Sequence, residues 1–278
     1  MRRTVPKPPQ NTSKTPAHIY IGVGGWTFAP WRGVFYPEKL TQAKELEYAA
    51  SKLTSIEING TYYGSQKPES FRKWAREVPD GFVFSLKGPR FATNRRVLAD
   101  AGDSIERFVA SGLVALGHKL GPIVWQFAPT KRFDAGDFEA FLKLLPREVG
   151  GIPLRHVLDV RHESFRCSAY LELARRHGMA TVFTDSDDYP SFADVTGGLV
   201  YVRTMRTEPS RPLGCSPQAL DQIAACARVW RDGGEPAALP RVEAPLKPQP
   251  ERDVFLFFIS GAKERAPAAA MAVLERLT

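Results

Sequence analysis

The chain has 278 residues, a formal net charge of +8 at pH 7 and a hydrophobic fraction of 43%. This length suits one large α/β domain or two small ones, and the apolar fraction is enough for a sizeable core. No stretch approaches the roughly 18 consecutive apolar residues of a membrane span, so we predict no membrane partner. The three cysteines, Cys167, Cys215 and Cys226, are too widely spaced for a disulfide framework or a metal motif, which favours a cytoplasmic location.

Residues 1–17 (MRRTVPKPPQNTSKTPA) differ in composition from the rest of the chain. They are basic and rich in proline, threonine and serine, and they lack the apolar segment of a secretory signal. We predict a flexible basic arm over residues 1–17 and one domain over residues 18–278. The basic balance leaves an anionic ligand or a nucleic acid open as a partner.

Short β-type runs alternate with amphipathic helical stretches throughout residues 18–278. The predicted strands are 18–24, 55–59, 82–87, 122–127, 156–160, 180–184, 199–203 and 254–258. The predicted helices are 42–53, 68–78, 104–116, 137–145, 167–178, 217–234 and 266–277. This alternation indicates βαβ units and a parallel sheet. Eight such units close most economically into a TIM-type (β/α)8 barrel, and an open doubly wound sheet is the alternative.

Polar residues recur on one face of the predicted strands, towards their carboxyl ends. In the second strand, Glu57 and Asn59 alternate with Ile56 and Ile58. The outer face of a barrel packs on helices, so the polar face should point inward, at the end where barrel enzymes hold their active sites. The side chains predicted to converge there are Glu57, Asn59, Lys87, Gln126, Asp159, Arg161, Asp185 and Arg203.

The chemistry of this set suggests acid/base catalysis on an anion. Glu57 and Asp159 are the predicted acid/base pair, because neighbouring charges can separate the pKa values of two carboxyl groups. Lys87, Arg161 and Arg203 would bind the anion, since guanidinium groups match carboxylate and phosphate oxygens. The remaining polar residues would orient the substrate. The alternative is that these charges only form an internal ion-pair network that closes the barrel.

Five segments match a known family in order and with suitable spacing. They are IGVGGWTFAPWRGVFYPEKL, EINGTYYGSQKPESFRKWAREVPDGFVFSLKGPR, LGPIVWQFAPTKRFD, LDVRHESF and LVYVR. Over nearly all of residues 18–278 the chain resembles the domain of unknown function 72 family, also called YecE-like. The resemblance implies a TIM-type barrel and specifies no activity.

The resemblance also implies a set of site residues. Trp26 matches the opening motif of the family, and Glu57, Asn59 and Tyr62 match its second strand. Its usual polar strand ends correspond to Lys87, Gln126, Arg161, His162 and Arg203. The chain departs from the family at three places: Asp159 replaces a more frequent Glu, Met205 replaces a frequent His, and FFISGAKERAPAA replaces an Asn-rich turn.

The function predicted from the sequence is that of a TIM-barrel enzyme, a hydrolase or lyase acting on a small anionic or sugar-like substrate. The alternative is a non-catalytic protein that binds nucleic acid or a metabolite. The basic stretch KGPRFATNRRVL, with Phe91 among its charges, resembles a single-stranded nucleic-acid contact, although a solvated loop is the simpler interpretation.

No cofactor is required by the sequence, and a divalent metal stays open. Glu57, Asp159, Asp185 and His162 are ligand types that suit Mg²⁺ or Mn²⁺. The cations predicted at the same mouth argue against a metal, because they would repel a metal ion.

Overall fold

The computed structural model describes residues 17–278, in which eight parallel strands close into a barrel. The strands are β1 (Ile19–Gly24), β2 (Ser55–Ile58), β3 (Val83–Lys87), β4 (Leu120–Gln126), β5 (His156–Asp159), β6 (Ala180–Asp185), β7 (Leu199–Thr204) and β8 (Asp253–Phe258). Each strand pairs with the next along the chain, and β8 returns to β1 with Val254 opposite Ile19. The predicted TIM-type barrel is confirmed, and the open-sheet alternative is wrong.

Helices follow most strands and form the outer layer. They are α1 (Glu45–Ala50), α2 (Gly60–Tyr63), α3 (Pro68–Glu77), α4 (Arg90–Thr93), α5 (Gly102–Val109), α6 (Ala135–Leu144), α7 (Ser168–Arg176), α8 (Pro217–Arg231) and α9 (Ala266–Leu277). Short 3-10 turns occupy Ala29–Trp31, Gln42–Lys44, Leu98–Ala101, Leu113–Lys119, Glu163–Phe165 and Lys263–Arg265, and a small hairpin pairs Glu148–Val149 with Ile152–Pro153.

The helix predicted over 104–116 is only partly correct. Helix α5 ends at Val109, and Gly112 then takes a φ of 96°, in the left-handed region that ends a helix. A 3-10 turn carries the chain onward from there. The predicted arm lies outside the described residues except for Ala17, so it stays a prediction. No helix within the described part of the chain is both long and apolar enough to cross a membrane.

Alternating strand residues divide the core into two apolar clusters. Ile56, Phe84 and Leu158 point outward and pack with the helices. The inward positions of the lower barrel hold a second cluster, which consists of Val83, Val124, Val157, Ala180, Val182, Leu199, Tyr201, Phe255 and Phe257. The alternation predicted for β2 is therefore confirmed, and β3, β5 and β7 likewise place their polar ends on the inward face. Because the apolar residues fill the lower barrel, the polar residues farther along the strands gather at the upper, carboxyl-end mouth.

Close contact between β1 and β2 requires a glycine at position 22. Gly22 pairs with Ser55, and a Cβ on Gly22 would lie 1.9 Å from the Ser55 carbonyl oxygen. We therefore expect Gly22→Ala to lower the free energy of unfolding by about 1–3 kcal/mol, as overpacked cores do. Urea unfolding measures this change. Gly81→Ala is the control, because no atom of the described residues lies within 4 Å of its Cβ position. Equal stability of the two variants would contradict the strand register.

Candidate active site

Six of the predicted side chains form one hydrogen-bonded group at the carboxyl-end mouth. This mouth cluster consists of Glu57, Lys87, Gln126, Asp159, Arg161 and Arg203. Five of its members lie in strands β2, β3, β4, β5 and β7, and Arg161 is the second residue after β5. Because these strands surround the barrel axis, their inward side chains meet across its interior.

Arg203 bridges the two carboxylates of the mouth cluster. Its Nη2 donates to Glu57 Oε1 at 3.0 Å, and its Nη1 donates to Asp159 Oδ2 at 2.6 Å. Both carboxylates are 0% exposed, and Arg203 is 1% exposed. Burial opposes the charge of Asp159, but the guanidinium groups of Arg161 and Arg203 lower its pKa below the usual value. Asp159 is therefore ionised at neutral pH.

The second oxygen of Glu57 is also occupied. The Tyr201 hydroxyl donates to Glu57 Oε2 at 2.8 Å, and Ser85 Oγ lies 2.8 Å from the same hydroxyl oxygen. Burial raises the pKa of Tyr201 well above its usual value, so the phenol stays protonated. Neither Tyr201 nor Ser85 is among the predicted site residues. Both lie at inward positions of their strands, as Glu57 does, so strand parity could have identified them from the sequence.

The Gln126 side-chain oxygen accepts hydrogen bonds from three cations. Lys87 Nζ donates at 2.8 Å, Arg161 Nη2 at 2.9 Å and Arg203 Nη1 at 3.1 Å. Arg161 also donates to Asp159 Oδ2 at 3.0 Å. The Arg161 side chain is 11% exposed, whereas that of Asp159 is 0% exposed. Arg161 and Lys87, which is 5% exposed, therefore lie nearer to solvent than the two carboxylates.

Lys87 lies in an unusual environment for an ammonium group. Its hydrogen-bond acceptor is the neutral amide of Gln126, and its nitrogen lies 4.2 Å from the centre of the Tyr62 ring. Burial and the nearby charge of Arg203 lower the pKa of Lys87 to about 8. The amine therefore changes protonation close to neutral pH.

Two aromatic rings cover the outer cations of the cluster. The predicted residue Tyr62 covers Lys87, and Tyr189 lies 4.4 Å from the Arg161 guanidinium carbon. Tyr189 follows β6 in an irregular loop. No periodicity relates a loop residue to the strand faces, so its position carried no signal in the sequence.

The prediction that Asp185 joins the mouth cluster is wrong. Ala180 and Val182 of β6 point into the barrel, so Asp185, at odd spacing from them, points outward. It forms an ion pair with Arg206 at 2.9 Å, and burial raises its pKa. Asp185 instead lines a separate cavity of about 310 Å³ between β6, β7 and α8. No member of the mouth cluster lines that cavity.

Trp26 also lies outside the mouth cluster. Its ring packs edge-on against Trp74 of α3, with centroids 5.3 Å apart, and near Phe84 on the outer side of the barrel. Trp26 is half-buried in the apolar layer, and its carbonyl oxygen accepts the Tyr36 hydroxyl hydrogen bond at 2.6 Å. These contacts give the ring a packing role and do not bring it to the predicted substrate.

Asn59 and His162 are placed at strand ends but outside the hydrogen-bonded group. The Asn59 amide nitrogen is 2.9 Å from the position of a Cβ on Gly24, so Asn59 lies beside the end of β1. His162 Nδ1 accepts the backbone N–H of Ser164 at 3.1 Å and caps the turn Glu163–Phe165. One ring nitrogen of His162 is therefore used in local structure.

The departures from the family pattern have structural positions as well. The backbone N–H of Met205 donates to the Asp185 carbonyl oxygen, so residue 205 continues the β7 strand end. In the segment after β8, the Lys263 carbonyl oxygen accepts from Trp31 Nε1 at 2.9 Å, and its ammonium group lies over the Phe28 ring. This segment therefore holds the opening loop in place.

The donor set does not suit a divalent metal. One oxygen of Glu57 and one of Asp159 already bind the Arg203 guanidinium, whose charge repels a cation. Asp185, another of the candidate ligands, points away. Within residues 17–278, no three His, Cys, Asp or Glu side chains gather as a metal site requires.

Comparisons with known proteins identify similar chains. The family described as "Protein of unknown function DUF72" matches residues 20–278. The UPF0759 protein YunF of Bacillus subtilis (strain 168) is 28% identical over 160 residues, 55% of this chain and 54% of that protein. The UPF0759 protein YecE of Escherichia coli (strain K12) is 28% identical over 164 residues, 58% of this chain and 55% of that protein. The alignments thus span about half the length of these curated relatives.

A solved structure extends the likeness to the whole fold. The crystal structure of a DUF72 family protein from Thermotoga maritima MSB8 matches with a TM-score of 0.72 at 21% identity. The match covers 94% of this chain and 99% of that one. At this identity the likeness establishes the barrel alone.

Proposed function

This chain belongs to the DUF72 family, and because membership fixes the fold and not a reaction, we propose its function from the mouth cluster. We propose that it is an enzyme that binds a small anionic substrate at the carboxyl-end mouth and transfers a proton there, as a lyase or a hydrolase. The arrangement of charge in the mouth cluster carries this proposal.

The charges are layered by depth. Three cations, Lys87, Arg161 and Arg203, face two carboxylates, Glu57 and Asp159, so the fully ionised cluster has one positive charge in excess. The carboxylates are 0% exposed, whereas Lys87 is 5% exposed and the Arg161 side chain 11%. A ligand that enters from solvent therefore meets cations first. This favours an anionic substrate over a neutral sugar.

The proton-transfer role fits Lys87 better than the predicted carboxylate pair. Glu57 and Asp159 are buried, and each binds Arg203 through one oxygen, which makes them counter-charges of that guanidinium. Lys87 has a pKa of about 8, and an efficient acid or base has a pKa near the operating pH. In this arrangement Arg161 holds the anion, Lys87 moves the proton, and Arg203 with the two carboxylates fixes both in place.

Binding of simple anions tests the proposal. Inorganic phosphate and oxalate should raise the melting temperature of the wild type, because they bind the folded state. Arg161→Met should weaken this binding about tenfold or more, since a charge-assisted hydrogen bond contributes about 1.5–3 kcal/mol. Titration calorimetry gives the ratio of dissociation constants. Arg166→Met is the control, because that exposed arginine pairs with Glu163 and not with the mouth cluster.

Two outcomes would contradict the proposal. One is equal anion binding by the wild type and Arg161→Met. The other is strong, salt-steep binding of a single-stranded oligonucleotide that Arg161→Met leaves unchanged and Arg90→Gln removes. The second outcome would support a nucleic-acid-binding protein. A specific observation favours that alternative: Tyr63 and Phe91 are 63% and 60% exposed, with the Arg90 guanidinium 5.8 Å and 5.3 Å from their ring centres.

A further inference from the structure

We infer that the Lys87 amine forms an imine with the carbonyl carbon of a small 2-oxo acid whose carboxylate is bound by Arg161. This inference rests on the proposed function and names its substrate class. It assigns Lys87 a covalent role in addition to proton transfer.

The position of Lys87 suits a nucleophile. It is the last residue of β3 and reaches the mouth from inside the barrel. Its nitrogen is fixed by the hydrogen bond to the Gln126 amide oxygen and by the Tyr62 ring. Because the acceptor is a neutral amide, no carboxylate within residues 17–278 is bonded directly to the amine and holds its proton. The side chain is thus ordered without being locked into an ion pair.

The surroundings favour the unprotonated amine, which is the form that attacks a carbonyl. Burial makes the largest contribution to the lowered pKa of Lys87. The positive charge of Arg203 lowers this pKa further, with a smaller effect from Arg161. The negative charges of Glu57 and Asp159 raise the same pKa. The net result is a pKa of about 8, so a useful fraction of Lys87 is neutral at physiological pH.

The spacing of Lys87 and Arg161 matches a 2-oxo acid. Lys87 Nζ and Arg161 Nη2 both donate to Gln126 Oε1, at 2.8 Å and 2.9 Å. The distance between the two nitrogens therefore cannot exceed the sum of these two hydrogen-bond distances. In a 2-oxo acid the carbonyl carbon is bonded directly to the carboxylate carbon. One small molecule can thus contact both groups.

Arg161 also has hydrogen-bonding capacity to offer. Within the described residues, its hydrogen bonds to Asp159 and Gln126 use Nε and Nη2. Nη1 then remains for a substrate carboxylate. The Tyr189 ring covers one face of the guanidinium and fixes its plane.

The chemical step balances without an oxidant or reductant. The nitrogen lone pair of neutral Lys87 attacks the carbonyl carbon, a C–N bond forms, and the carbonyl π electrons move to oxygen. The nitrogen proton and one solvent proton pass to that oxygen, which leaves as water and gives a protonated imine. The imine nitrogen then accepts electrons from a bond to the adjacent carbon, which is the electron sink that a lyase needs.

Hydride trapping tests the inference directly. The full chain is incubated with pyruvate, glyoxylate or 2-oxoglutarate and then with sodium borohydride, which reduces an imine to a stable amine. Peptide mass spectrometry should find one reduced adduct, at Lys87. The matched control inside the same chain is Lys119, which is 6% exposed but donates to the backbone carbonyls of Ala75 and Val78. We expect labelling of Lys87 to exceed that of Lys119 at least tenfold.

Variants separate this inference from the proposed function. Lys87→Arg keeps the positive charge but cannot form an imine, so it should lose the adduct. Arg161→Met should reduce the labelling at Lys87 with each oxo acid. If phosphate binds the wild type through Arg161 but no oxo acid labels Lys87, the imine is wrong and the proposed function stands. If neither phosphate nor an oxo acid binds, both are wrong.

Discussion

Arg203→Met is expected to lower the free energy of unfolding by about 3–5 kcal/mol, because removing one partner leaves buried charges uncompensated. The substitution leaves Glu57, which is 0% exposed, with only the neutral Tyr201 hydroxyl as a partner. It also removes one of the two guanidinium partners of Asp159, which keeps Arg161. Urea unfolding at pH 7 measures the loss.

The control for Arg203 is another arginine that bridges two carboxylates, but at the surface. Arg206 pairs with Asp185 and Asp187, and its side chain is 51% exposed. Arg206→Met should therefore cost no more than about 1 kcal/mol. Adding Glu57→Gln to Arg203→Met should restore part of the lost stability. Equal losses for the two single variants, or no recovery in the double variant, would show that the mouth cluster does not depend on charge pairing.

Such a cluster is costly as scaffolding alone. The lower barrel is filled by apolar side chains such as Val124, Val157 and Phe255, which need no partners. The same barrel could close at its upper end with similar residues, since well-packed apolar groups often replace buried ion pairs without loss. The chain instead places several charges there, with Lys87 and Arg161 outermost. We interpret this as the cost of a site that binds an anion.

Strand parity explains why most of the mouth cluster could be predicted from sequence. Successive residues of a strand point to opposite faces, so Ile58 next to Glu57 fixes the direction of both. The same rule explains the error at Asp185. Strand β6 continues through residue 185, so Asp185 lies on the same outward face as Phe183. Parity therefore excludes Asp185 from the mouth cluster.

Other features of the site depend on information that parity does not contain. The hydrogen bond between Tyr201 and Glu57 joins residues 144 positions apart, and it depends on the relative heights of β2 and β7 along the barrel. The burial of Glu57 and Asp159 beneath Arg161 depends on the same heights. Tyr189 reaches Arg161 from an irregular loop. These positions follow from barrel geometry and loop conformation, which residue type and spacing do not specify.

Lys87→Met should have the opposite effect from Arg203→Met and raise the free energy of unfolding at pH 7. The pKa of Lys87 is about 8 in the folded chain, against about 10.4 for an unperturbed lysine. Between these values the unfolded state binds more protons, so the stability of the wild type increases with pH. A shift of this size corresponds to a penalty of up to about 3 kcal/mol, and loss of the Gln126 contact reduces the expected gain to about 1–2 kcal/mol.

Two further measurements test this expectation: the pH dependence of the stability gain from Lys87→Met, and the effect of the same substitution at Lys119. The gain in the free energy of unfolding from Lys87→Met should have its full size below pH 8. It should disappear above about pH 10.4, where the wild-type lysine becomes neutral in both the folded and the unfolded state. Urea unfolding at several pH values follows it. Lys119→Met should instead destabilise, because it leaves the carbonyls of Ala75 and Val78, the second of which is buried, without their donor. If Lys87→Met also destabilises at pH 7, with no dependence on pH, then Lys87 is a structural residue. A gain would mean that the chain retains at its mouth an amine that lowers its stability, as a reactive group does and a structural group does not.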